Sequence, residues 1–390
     1  MVQGWVGSGG QERVSLAEVL AAVPQALVDE AVEVCGVADG GPGGGLPPYL
    51  TACLVMASCL LPEDGPEELA EKVIAALPQF GVRDAGWGPL TPSVIAEARE
   101  RLGRDVLRET FYRVAEPVAT PAPPAARFGG RRLTALHGFG FDVPDSAENA
   151  AEFGRADGDP SGSGAPRARV VAVVECGSRA VVDAEVGPWS RSGTATAAAL
   201  LPSISTEWLL LADQDLYGFA AFGAAAQTGA AQCWRVSAQL SLPVLEVLSD
   251  GTYLSALVDP RLGGDLREEQ LQVVRSGAKP DPAAAHVVRV VADGDPDRDG
   301  GRPVRLITTL TDPGTAPAAD LTVAHRRRQP EALLPGATRA LRSESPDLVH
   351  QEIWAHLLVQ YAVNSLHCRA SDPASDSTSA GAGTVPGPRI

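Results

Sequence analysis

The chain has 390 residues, 45% of them hydrophobic, and its 48 acidic side chains outnumber the 32 basic ones to give a formal net charge of −16. This length can fill two or three buried cores. The acidic excess disfavours nucleic acid as a routine partner, because DNA affinity comes largely from cations that neutralise phosphates.

Neither a membrane span nor a secretory signal is predicted. The longest apolar run, residues 50–61, is shorter than the roughly 20 residues that cross a bilayer, and no basic stretch followed by an apolar one opens the chain. The six cysteines lack the paired short spacings of zinc sites and disulfide scaffolds. We therefore expect a cytoplasmic protein with reduced thiols, no membrane contact, no bound metal and no cofactor.

Residues 12–116 are predicted to form an all-helical N-terminal domain. Ser15 and Glu18 have the spacing of a capping box, and apolar residues follow on one broad helical face. Further helices are predicted over residues 46–61, 66–77, 92–102 and 104–114. A Pro/Ala-rich linker over residues 117–127 ends this domain.

Short β-rich runs follow the linker. Strands are predicted over residues 132–137, 170–175, 180–186, 208–213 and 233–236, with helices over residues 194–201 and 219–227. Three strands, a helix, then alternating strands and helices is the order of an RNase H-like mixed α/β core, which we assign to residues 128–239 and 319–368. A β-rich insertion is predicted over residues 240–318, and a disordered Ser/Ala/Gly/Pro-rich tail over residues 369–390.

Two motifs in this core are specific as a set. Residues 135–145 read Ala-Leu-His-Gly-Phe-Gly-Phe-Asp-Val-Pro-Asp, and residues 208–213 read Trp-Leu-Leu-Leu-Ala-Asp. Together they resemble the catalytic core of bacterial DDE transposases of the insertion-sequence-four family, and the resemblance covers roughly residues 12–368. In that family three carboxylates hold two Mg²⁺ ions, one activating a water or 3′-hydroxyl and one stabilising the leaving oxygen.

The resemblance implies that two of the three carboxylates are missing here. His137 stands where the first aspartate belongs, whereas Asp213 matches the second. The third belongs to a helical Tyr-x2-Arg-x3-Glu-x6-Lys signature, in which His325 takes the Tyr place and Ala332 the Glu place. Glu331 is one residue out of register, about 100° around a helix axis. Prolines at 330 and 335 would also break that helix.

Two functions from different classes follow. The first is a catalytically defective, transposase-derived protein without DDE strand-transfer activity. The second is a repurposed enzyme of a biosynthetic pathway that catalyses an elimination, isomerisation or cyclisation of a small organic ligand in the former DDE pocket. His137 and Asp213 would be its acid–base pair, because a carboxylate that orients an imidazole makes a workable general acid or base. A tolerated His137 without function, DNA binding without cleavage, and a homodimer are the alternatives left open.

Overall fold

The computed structural model describes residues 14–38, 45–77, 90–119, 126–155, 164–293, 304–327 and 340–371. These residues form a mixed α/β structure in which a helical N-terminal region precedes a ten-stranded mixed sheet. The predicted combination of an α/β core and a helical N-terminal region is confirmed. Among the described helices, none combines the length and the apolar character that a membrane span requires.

The described parts of the N-terminal region contain six helices. The capping box predicted at Ser15 is present: the Ser15 hydroxyl accepts from the Glu18 backbone N–H at 3.3 Å, and the Glu18 carboxylate accepts from the Ser15 N–H at 2.7 Å. The long apolar run forms a helix whose side chains are almost all buried, so it is a core element. In chain order the helices are α1 (Leu16–Ala21), α2 (Gln25–Val34), α3 (Pro48–Leu60), α4 (Pro66–Ala76), α5 (Pro92–Leu102) and α6 (Val106–Val114).

The sheet contains ten strands in the spatial order β4-β3-β2-β5-β6-β10-β9-β8-β7, with β1 paired to the start of β2. Strand β3 runs antiparallel to β2 and β4, whereas β2, β5 and β6 run parallel to one another. The strands are β1 (Arg127–Phe128), β2 (Arg131–Asp142), β3 (Arg167–Glu175), β4 (Val181–Pro188), β5 (Trp208–Ala212), β6 (Ala231–Val236), β7 (Glu246–Val247), β8 (Tyr253–Val258), β9 (Ala285–Asp293) and β10 (Val304–Thr308).

Helices cover both faces of this sheet. On one face, α8 (Gly193–Leu200) and α9 (Phe219–Gln227) pack on alternate residues of β2, β3, β5 and β6. Two groups of helices pack on the opposite face. The N-terminal helices and α12 (Pro346–Ala370) cover β3, β4 and the second half of β2, and α11 (Ala318–Arg326) covers β5, β6 and the first half of β2. A short helix, α7 (Ala147–Phe153), links β2 to β3.

The structure differs from the sequence-based expectation at three places. Strand β2 does not end at His137 but continues to Asp142, because residues 138–142 pair with residues 167–171 of β3. The segment predicted as β-rich also contains a helix, α10 (Gly264–Arg275), and its strands β8–β10 continue the main sheet. Helix α12 extends to Ala370, into the predicted tail, and residues 372–390 lie outside the described residues.

Candidate functional site

The carboxyl ends of three neighbouring parallel strands bring polar residues to one edge of the sheet. The register pairs Ala135 of β2 with Leu211 of β5, and Ala212 of β5 with Trp234 of β6. Continuing that register places His137 level with Asp213, and Asp213 level with Arg235. All three side chains alternate to the sheet face that α11 covers, because Ala135, Leu211 and Cys233 belong to the core beneath that helix.

Asp213 contacts both the turn that follows β5 and a side chain of β6. Its Oδ1 accepts the Gln214 backbone N–H at 2.8 Å, which starts a short turn directly after β5. The same oxygen lies 3.9 Å from Nε of Arg235, and both side chains are about one-third exposed. The guanidinium and the carboxylate therefore form a loose, partly solvated ion pair.

His137 lies deeper than Asp213. Its exposure is 6%, and it stands opposite Ala172 in the pairing of β2 with β3. Two residues further along β2, Phe139 lies on the same face, and after it comes the buried Phe141, whose ring packs 5.5 Å from that of His356. The sheet beyond His137 is therefore apolar, and His137 lies where the core beneath α12 meets the core beneath α11.

A second imidazole reaches this edge from α11. His325 is 7% exposed, and its Nε2 lies 3.2 Å from the carbonyl oxygen of Ala212. Because a carbonyl only accepts, Nε2 carries the proton and donates it. This bond joins α11 to the residue that immediately precedes Asp213.

The sequence-predicted site residues are thus only partly brought together. His137 and Asp213 lie level on adjacent strands, whereas Glu331 and Ala332 lie outside the described residues. Sequence reasoning did not assign Arg235 or His325 to the site. The available signals were the position of Arg235 near the end of a predicted strand and that of His325 in the helical signature.

The side chains at these strand ends do not suit the two Mg²⁺ ions that the resemblance implies. Mg²⁺ takes oxygen ligands in octahedral geometry, but the described residues supply one carboxylate, Asp213, beside a guanidinium and two imidazoles. Within the described parts of the chain, no group of three or more His, Cys, Asp or Glu side chains is arranged to hold a metal ion. The described part of this edge therefore offers too few oxygen ligands for two Mg²⁺ ions.

The amino-acid sequence of this chain is similar to those of known transposases. Residues 13–112 match the family model of the insertion element 4 transposase N-terminal region. The chain is 25% identical over 289 residues to the transposase InsG for insertion sequence element IS4 of Escherichia coli strain K12, covering 69% of this chain and 59% of that protein. It is also 25% identical over 223 residues to the putative transposase InsZ of the same strain, covering 57% of this chain and 74% of that protein. The chain is therefore transposase-like, and it spans less than two-thirds of the length of InsG.

Proposed function

We propose that this chain is a transposase-derived protein that lacks DDE strand-transfer activity. The observation that supports the proposal is the parallel pairing of β2 with β5, because its register, continued beyond Ala135 and Leu211, brings His137 level with Asp213. An imidazole at this place is a poor substitute for a carboxylate that bridges two Mg²⁺ ions. The strand ends then retain one of the two carboxylates that adjacent strands would supply.

The sheet order supports an RNase H-like core. In such a core the first and fourth strands are neighbours, and here β2 and β5 are neighbours and run parallel. We accordingly propose the domain division stated above, with residues 12–116 as the N-terminal domain and residues 240–318 as an insertion in the core. The extension of the sheet by β8–β10 means that this insertion adds strands to the core.

The position of the third metal-binding carboxylate also lacks an acidic residue in the register of the family signature. Helix α11 carries His325 to the end of β5, and this residue takes the Tyr place of the family signature. The register of the signature then assigns the third carboxylate position to Ala332. A folded scaffold without strand-transfer chemistry would act by binding, for instance by pairing with active transposases.

A cleavage assay tests this proposal directly. The purified full chain is incubated with duplex DNA that carries the terminal repeats flanking its gene, with Mg²⁺ or Mn²⁺, and with an active transposase of the same family and its own ends as the positive control. We expect no nicking or strand transfer by this chain. Metal-dependent cleavage that disappears in the Asp213→Asn variant would overturn the proposal.

DNA binding is measured separately from about 50 to 200 mM salt, a range over which phosphate contacts lose affinity steeply. The acidic net charge of −16 predicts weak binding throughout. Steeply salt-dependent binding would instead assign the chain a regulatory role on DNA without changing the result of the cleavage assay.

The level placement of His137 and Asp213 favours a second candidate, an acid–base enzyme acting on a small organic molecule. His137 is 6% exposed, and a carboxylate that orients an imidazole can make it a general acid or base. NMR titration of the His137 imidazole in the wild type and in Asp213→Asn measures this coupling. An unchanged titration midpoint in the variant would exclude the pair as a general acid or base.

A further inference from the structure

On the sheet face opposite His137, two arginines of β3 share one tryptophan. The Cζ carbons of Arg167 and Arg169 lie 4.5 Å and 4.0 Å from the ring centroid of Trp189, which directly follows β4. The two arginines are two residues apart on one strand, so they project to the same face. Contacts of this kind between a cation and an indole ring stabilise the pair and fix the guanidinium plane.

The backbone around the ring fixes this arrangement. Trp189 donates its N–H to the carbonyl of Phe153 at 2.7 Å, and its own carbonyl accepts from Nη2 of Arg169 at 3.1 Å. The ring lies across Gly140 of β2, because a Cβ at that position would come within 2.7 Å of the indole. The bare backbone of Gly140 is therefore what admits the tryptophan to the sheet.

Both arginines also reach groups beyond the tryptophan. Arg169 reaches the first residue of α8, where Nη1 lies 3.6 Å from the place that a Cβ of Gly193 would occupy. The N-terminus of a helix carries partial positive charge and attracts anions. Arg167 faces Asp142, with 3.2 Å between Nε and Oδ1, and this carboxylate is more than half exposed.

From this clustering we propose that Arg167, Trp189 and Arg169 form an oxyanion site for a phosphate-bearing ligand. The shared ring holds the two guanidinium groups close enough together for one anion to accept from both side chains. Guanidinium groups are suited to phosphate because their donors match two oxygens at once. The ligand is a free phosphate compound or a phosphodiester of nucleic acid, since both present the same oxygens.

Titration of the full chain with inorganic phosphate, adenosine monophosphate and a single-stranded oligothymidylate tests the site by calorimetry. We expect at least one probe to bind with a Kd below about 1 mM. The best probe identifies the source: the mononucleotide indicates a small molecule, and the oligonucleotide with a steep salt dependence indicates nucleic acid. If no probe binds below that concentration, the proposal fails.

Substitutions of the two arginines test whether the phosphate-bearing probe binds at this site. Arg167→Gln and Arg169→Gln should each weaken binding about tenfold or more, the usual cost of one charge-assisted contact. Arg191→Gln is the matched control, because it removes an equal charge from a nearby residue that pairs with Glu185 at 3.2 Å and does not stack on Trp189. Circular dichroism checks folding, and if Arg169→Gln is unfolded, the result for Arg167→Gln decides. Equal losses in the control and in the folded site variants would overturn the proposal.

Discussion

His325 donates from Nε2 to the carbonyl oxygen of Ala212 at 3.2 Å, and this bond joins α11 to the strand that ends beside Asp213. Both partners are buried, so neither is satisfied by water if the other is lost. The bond therefore fixes where α11 sits over the candidate site. It also fixes a proton on Nε2, because the carbonyl can only accept.

Two substitutions of His325 separate the contribution of its hydrogen bond from that of its ring packing. His325→Phe keeps a ring of similar size but removes the donor, and we expect it to lower the free energy of unfolding by about 1–3 kcal/mol because the Ala212 carbonyl stays buried without this partner. His325→Gln retains an N–H donor and should lose less. Urea unfolding followed by circular dichroism measures both. Equal losses would show that ring packing, and not the hydrogen bond, is what matters.

How far the sequence predicts this fold depends on the kind of residue in each element. The buried strands β3 and β5 contain continuous apolar runs, which are typical of strands buried on both faces. The prediction for β5 is within one residue of its bounds, whereas β3 begins three residues before its predicted start. Helix α10 is missed because its single buried residue is Leu271, so it shows little apolar periodicity. The second half of β2 is missed because its glycines and phenylalanines alternate without the usual strand composition.

The candidate site is predictable only where it depends on strand order. His137 and Asp213 are expected side by side as soon as the first and fourth strands are neighbours, and their catalytic roles stay a prediction. Arg235 joins them through the pairing of Ala212 with Trp234, a register that no sequence pattern fixes. His325 joins them through the docking of α11, which depends on packing between segments far apart in the chain.

A buried arginine connects the sheet extension to the segment that directly precedes α11. The Arg289 side chain is 0% exposed; it pairs with Asp250, and it donates to the Thr252 hydroxyl at 2.7 Å and to the Ala316 carbonyl at 2.6 Å. Arg289→Met should lower the free energy of unfolding by about 3 kcal/mol, because it leaves a carboxylate and a carbonyl without their cation. The double variant Arg289→Met/Asp250→Asn should recover part of that loss in chemical denaturation. No recovery would mean that the ion pair contributes little and that packing around the side chain dominates.

Acid should destabilise the fold before its carboxylates titrate. Burial lowers the pKa of His286, His350 and His356 below the ordinary value of 6.5, and Arg104 lowers that of His350 further. The unfolded chain therefore binds protons at a higher pH than the folded chain does. Stability is complete above about pH 6.5 and falls as the pH drops towards 5, by at most about 1.4 kcal/mol per pH unit for each imidazole.

The ring of His356 stacks on Phe141, so His356→Leu removes one of these titrations while keeping an apolar side chain. Its free energy of unfolding should depend less steeply on pH between 7 and 5 than that of the wild type. Denaturant unfolding at several pH values gives both slopes. If the two slopes agree, the imidazole titrates alike in the folded and unfolded states and the prediction is wrong.

A buried carboxylate holds the segment that leads from the helical region to the sheet. Glu175 is fully buried; it pairs with Arg132, and it accepts the Val118 and Ala119 backbone N–H groups at 2.9 Å and 2.8 Å. Glu175→Gln keeps the shape but replaces an ionised acceptor by a neutral amide, one of whose ends is a donor that faces other donors. We expect a loss of about 3–5 kcal/mol in the free energy of unfolding, as for other broken buried pairs.

Glu185→Gln provides the control on the neighbouring strand. Its carboxylate pairs with Arg191 while both side chains are about one-third exposed, so the change should stay within about 0.5 kcal/mol. Because Glu175 lies at the opposite end of β3 from the residues that stack on Trp189, its variant should also leave phosphate binding unchanged wherever the protein is folded. If Glu175→Gln lowers the free energy of unfolding by less than about 1 kcal/mol, water reaches the Glu175 carboxylate, and apolar contacts hold the linker instead.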